Sequence, residues 1–97
     1  EEYVKEVGER EYLVEGSLNL DDLNDRLDLD LSSEEYDSLG GFIIERLDRL
    51  PEAGDEITTD EGIRMVVEKL DKNRIERVHL YLPEKEETEE EESEKDS

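Results

Sequence analysis

The chain has 97 residues, with 33 Asp and Glu against 12 Lys and Arg, a formal net charge of −21, no cysteine and one histidine. That balance excludes nucleic acid as a partner, because phosphate binding needs Lys and Arg, and it disfavours an anionic membrane surface for the same reason. The lack of cysteine removes any disulfide framework or thiolate metal site.

Only 32 % of the residues are apolar, below the roughly 45–50 % of an average domain, and low hydrophobicity with high net charge is a signature of disorder. The apolar residues nevertheless cluster and recur periodically as far as Leu82. The predicted organisation is therefore a linker from a preceding domain over 1–9, a folded domain over 10–82 and a disordered acidic tail over 83–97. No apolar run approaches the roughly 18–20 residues of a membrane span, and no signal peptide is present. A start at Glu1-Glu2-Tyr3 without Met reads as a piece of a longer protein. Carboxylates at this density suit a protein that works in high salt, where screening relieves self-repulsion.

Glu9 to Glu15, carrying Tyr12, Leu13 and Val14, is predicted as a strand ended by Gly16-Ser17. Asn19 is an N-cap candidate, with Asp22 in capping-box position and Leu20, Leu23 and Leu27 along one face of a short helix. Leu29 and Leu31 lie in a connection. Ser32 and Glu35 have the S-x-x-E spacing that opens a second helix, along which Tyr36, Leu39, Phe42, Ile43, Ile44 and Leu47 form an apolar stripe. Gly40-Gly41 inside that helix costs about 1 kcal/mol per glycine relative to alanine, and close approach of another backbone is the expected reason. Leu50-Pro51 stops the helix and Gly54 completes a turn. Glu56 to Thr59 is then a short strand, and Ile63–Leu70 and Ile75–Leu82 form a hairpin around Asp71-Lys72-Asn73. The predicted fold class is α+β, in the order β-α-α-β-β-β, with two helices on one face of a small antiparallel sheet.

Strand alternation places Ile63, Met65 and Val67 on one side of the first hairpin strand, and His79 and Tyr81 together on the second. Neither strand alternates cleanly between apolar and polar, as a sheet with one wet face should. The face away from the helices is thus expected to be partly covered, and Ile63, Met65, Val67, His79 and Tyr81 are the interface candidates. A lone histidine cannot provide the three protein ligands of a catalytic zinc site, and nothing here forms a triad.

Candidates for a ligand site are few. Asp21, Asp22 and Asp25 are the candidates for low-affinity calcium or magnesium binding, although no stretch has the alternating acids and central glycine of a calcium loop. Most of these acids read as helix caps and solvated surface. Gly40, Gly41, Gly54 and Asp55 are the candidates for a nucleotide, without a glycine-rich diphosphate loop around them. No cofactor is expected.

Several short motifs together resemble the transporter-associated domain, also called the CorC/HlyC C-terminal domain. They are Glu15-Gly16-Ser17 with Asp22-Leu23-Asn24, then Tyr36, Ser38 and Gly41-Phe42, then Leu50-Pro51-Glu52-Ala53-Gly54-Asp55, and finally Arg74-Ile75 with Val78. The family pattern has Asp where Glu15 stands and Thr where Ser38 stands. The resemblance covers roughly residues 10 to 82. It implies a non-catalytic regulatory or interaction domain at the C-terminus of a CBS-containing, hemolysin-like membrane protein linked to magnesium or cobalt efflux. Its implied partners are the CBS pair and membrane domain of the parent chain, or a second copy of itself, on the cytoplasmic side of the membrane. The fold it implies is shared with flavin-binding domains, so FAD enters by fold analogy alone. A small ligand-binding domain for a nucleotide or metal ion is the alternative.

Overall fold

The computed structural model describes residues 3–83, which form β1 (Val4–Gly8), β2 (Glu11–Glu15), α1 (Leu20–Leu27), α2 (Leu39–Leu47), β3 (Glu56–Thr58), β4 (Arg64–Asp71) and β5 (Arg74–Tyr81). All five strands pair antiparallel in one sheet, in the order β1-β2-β5-β4-β3. The α+β class and the helix pair are as the sequence predicts. One strand is added: where a linker was expected, Val4–Gly8 pairs with β2, matching Val4 to Val14 and Lys5 to Leu13. The predicted acidic tail, apart from Pro83, lies outside the described residues.

Register decides which side chains enter the core. Directly paired residues of antiparallel strands share a face. One such row runs Val4, Val14, Val78, Val67, and the next runs Glu6, Tyr12, Leu80, Met65, Ile57. Val14, Val67, Val78, Leu80 and Met65 are buried against Leu20, Leu23, Leu39, Phe42 and Ile43 of the helices in one cluster. Each such side chain contributes roughly 1.5–3 kcal/mol when fully withdrawn from water.

The helix starts are set by one shared junction. Asn19 caps α1, its side chain accepting from the Asp21 N–H at 2.8 Å, and Ser38 caps α2, accepting from the Gly41 N–H at 3.2 Å. Leu20 N–H donates to Asp37 O at 2.7 Å, and Leu39 N–H donates to Leu18 O at 3.0 Å. The donors that a helix N-terminus leaves unsatisfied are therefore met partly by the approach to the other helix. This explains why α2 begins at Leu39 rather than after Ser32. Ser32 and Glu35 form no capping box. In the irregular segment between the helices it is Ser33 whose hydroxyl accepts from Tyr36 N–H at 3.1 Å and donates to Glu45 Oε1 at 2.6 Å. Both helices end on a left-handed aspartate, Asp28 at φ 58° and Asp48 at φ 60°.

Candidate functional site: the open face of the sheet

With both helices on one face, the opposite face is left uncovered among the described residues. One row of cross-strand neighbours traverses it with one residue from each strand: Lys5, Leu13, His79, Val66, Glu56. A second row runs Glu11, Tyr81, Arg64, Thr58. Leu13, Val66, His79 and Tyr81 are half-buried, and the apolar Leu13 and Val66 depart from the polar residues expected on a solvated sheet face.

His79 organises this face. Its Nε2 lies 2.8 Å from Glu11 Oε2 on β2, and its Nδ1 lies 3.2 Å from Glu68 Oε2 on β4, so one ring ties three strands together. The ring also stacks on Tyr81 with centroids 4.4 Å apart and planes 2° from parallel. Arg64 places its guanidinium over the Tyr81 ring, 4.7 Å from the centroid, while its Nε donates to Glu56. The result is a semi-apolar platform whose polar side chains are tied to one another, with Lys5, Arg64 and Arg77 set among Glu11, Glu56 and Glu68.

The register separates the predicted interface residues. Tyr81 pairs with Arg64, not with Met65. Because side chains alternate with a period of two, that offset puts them on opposite faces. Met65 and Val67 are buried beneath the helices at 0 % and 1 % exposure, and Ile63 is buried in the same core, so none of the three lies on the open face. His79 and Tyr81 do lie on the open face. Leu13 and Val66 belong beside them, and the alternation of β2 about buried Val14 was the signal that could have found Leu13.

The glycine candidates have structural employment. Gly40 N–H donates to Gly16 O at 2.8 Å, and a Cβ on Gly40 would meet Gly16 O at 3.2 Å and Ile75 Cβ at 3.3 Å. A Cβ on Gly41 would collide with Tyr36, and both glycines are buried. The expected reason for the pair, backbone approach, therefore holds for Gly40, whereas Gly41 makes room for a side chain. Gly54, at φ 95°, donates its N–H to Val67 O at 2.8 Å, and Val67 N–H returns a bond to Asp55 O at 2.8 Å, seaming the loop to β4. The Asp55 carboxylate accepts from Arg49 through both oxygens, each at 2.9 Å, and from Glu52 N–H at 2.7 Å. Hydrogen bonding from Arg49, then from the Glu52 backbone, holds Asp55 below the usual carboxylate range; reciprocally, Asp55 raises Arg49. Those oxygens already have partners, so neither pair of candidates offers free groups to a nucleotide. Asp21, Asp22 and Asp25 are exposed on α1, and among the described residues no His, Cys, Asp or Glu group of three or more is arranged to hold a metal ion.

Two capped helices over one face of a five-stranded antiparallel sheet, with the other face open among the described residues, define a small α+β domain. The chain belongs to the transporter-associated domain family, whose pattern it matches over residues 5–84. It is 42 % identical over 91 residues to a UPF0053 protein of Synechocystis sp., covering 89 % of this chain and 20 % of that protein. It is 28 % identical over 79 residues to the magnesium and cobalt efflux protein CorC of Salmonella typhimurium, covering 81 % of this chain and 27 % of that protein. The chain thus spans about a fifth to a quarter of the length of these curated relatives. Among solved structures, the transporter-associated domain of a CBS domain protein from Porphyromonas gingivalis superposes with a TM-score of 0.75 at 31 % identity, covering 84 % of this chain and 99 % of that one. The CorC-associated region from Neisseria meningitidis superposes at 0.76 with 23 % identity, covering 84 % and 100 %, and shares the fold. Among the described residues no helix is long and apolar enough to cross a membrane.

Proposed function

We propose that this domain is a non-catalytic regulatory module of a CBS-containing membrane protein, and that it modulates divalent-cation efflux by docking its open sheet face on the CBS pair of the parent chain. The observation that supports this reading is the row Leu13, His79, Val66: half-buried, with the His79 ring held between Glu11 and Glu68, and left uncovered by the described elements. The named relatives supply the context of magnesium, cobalt and CBS modules. In that context the domain sits on the cytoplasmic side of the membrane, and a second copy of itself is the competing occupant of the face.

No cofactor and no chemical step enter this reading. The test is carried out in the full-length parent protein in cells. Leu13→Glu with Val66→Glu disrupts the platform without touching the core, so magnesium or cobalt efflux changes while the amount of protein in the membrane does not. Efflux that stays at the wild-type level in this variant sinks the proposal.

A further inference from the structure

A second surface is lined by residues other than those of the open-face rows. Between the connection after α1, the turn before β4 and the end of β5 is a cavity of about 360 Å³, walled by Leu27, Leu29, Leu31, Ile63, Leu82 and Pro83. Its volume falls within the roughly 300–1,000 Å³ of clefts that bind ligands. Its rim bears Asp28, Asp30 and Glu61 against Arg10, and Arg10 is engaged by Glu9 at 3.3 Å. The adjoining cleft shares Asp30 and Glu61 and adds Asp60, with Arg46 turned over the Phe42 ring at 4.7 Å.

The walls are held by bonds at the end of α1 and in the connections around it. The Asn24 side chain donates to Leu31 O and accepts from Leu31 N–H, both at 2.9 Å, and Leu29 N–H donates to Asn24 O at 2.9 Å. Across the cavity, Thr59 Oγ1 accepts from Ile63 N–H at 3.1 Å, and Thr59 N–H donates to Ile63 O at 2.9 Å. Leu82 N–H donates to Arg10 O at 2.8 Å. A cleft fixed in this way loses little conformational freedom when it is filled. Residues 84–97 contain no aliphatic or aromatic side chain that could serve as such a filling.

We infer that this cavity takes a large apolar side chain from a segment of a partner protein that carries Lys or Arg beside that anchor. The apolar walls hold the anchor, and the carboxylates of Asp28, Asp30, Asp60 and Glu61 receive the flanking cations. Burial of the anchor supplies affinity, and the charge pattern supplies selection and a faster encounter.

The test uses the 97-residue chain, followed by amide-resolved NMR, with three capped tetrapeptides: Lys-Leu-Phe-Arg, Lys-Ala-Ala-Arg and Glu-Leu-Phe-Glu. The first is expected to shift Leu29, Leu31, Ile63 and Leu82, while leaving Leu13 and Val66 unmoved, and to bind at least about tenfold more tightly than either control. Asp30→Lys with Glu61→Lys, both exposed and outside the core, should weaken it at least about tenfold at low salt. Equal affinity for all three peptides, or indifference to the rim charges, would overturn the inference. So would shifts confined to the open sheet face, or shifts that disappear when residues 84–97 are removed.

Discussion

Gly40 donates its backbone N–H to the carbonyl oxygen of Gly16 at 2.8 Å, at the point where the N-terminus of α2 meets the end of β2 and the side of Ile75 on β5. Gly16 N–H in turn donates to Glu76 O at 2.9 Å. Three backbones converge there, and the two glycines are what let them.

The two positions tolerate a methyl group differently. A Cβ on Gly16 would overlap the Ile75 carbonyl, which belongs to a paired strand and has no freedom to yield. Gly16→Ala should therefore destabilise by about 1–3 kcal/mol. A Cβ on Gly40 meets its neighbours at 3.2 to 3.4 Å, and alanine recovers about 1 kcal/mol of helix propensity. Gly40→Ala should thus be the milder change, and urea denaturation of the two variants side by side checks the order.

The face assignment makes a second contrast. Met65→Ala, at a position with no exposure, should cost about 2–5 kcal/mol. Tyr81→Ala loses its stacking on His79 and its cation contact, about 0.5–1.5 kcal/mol beyond its half-buried area, and should be the milder change. Thermal melts that rank Tyr81→Ala as the more damaging would contradict the register between β4 and β5.

Asn24→Ala removes both hydrogen bonds to the Leu31 backbone and should cost about 1–3 kcal/mol by leaving those groups without their partner. Amide exchange at Leu31 should rise more than exchange at Val78, because the loss is local to the segment joining the helices.

Asp55 has a folded-state pKa lowered by Arg49 and by the Glu52 N–H. Its contribution is thus fully present above the unfolded carboxylate value and is lost as pH falls through the lowered folded one. Asp55→Asn should melt lower than the wild type at neutral pH. The gap between the two should narrow on acidification below the ordinary aspartate range. A gap that is constant with pH would show that the ion pair with Arg49 is not what secures this turn.

A net charge of −21 on 97 residues repels itself, and salt screens that repulsion. The melting temperature should rise from low to molar KCl, and a flat response would remove the expectation of a protein suited to high salt.

Much of this architecture was legible in local chemistry. Asn19 before Leu20 announced α1, Pro51 and Gly54 announced the turn, and Asp71-Lys72-Asn73 announced the hairpin. What escaped was decided by partners distant in sequence. The Ser32 and Glu35 spacing looked like a helix start, yet α2 begins at Leu39, where Leu18 and Gly16 supply acceptors for its first donors. β1 has a mixed sequence, with Lys5 and Glu6 between Val4 and Val7, and becomes a strand through pairing with β2. The interface candidates divided because pairing register, which no single strand encodes, puts Tyr81 beside Arg64. The cavity beside Leu29 and Leu31 gave no local signal, since four separate segments must meet to enclose it.

Isothermal titration of this domain with the CBS pair of its parent protein tests the docking proposal most directly. Binding should be measurable with the wild-type chain and at least about tenfold weaker with Leu13→Glu and Val66→Glu combined. No binding by the wild type, or equal binding by that variant, would contradict it.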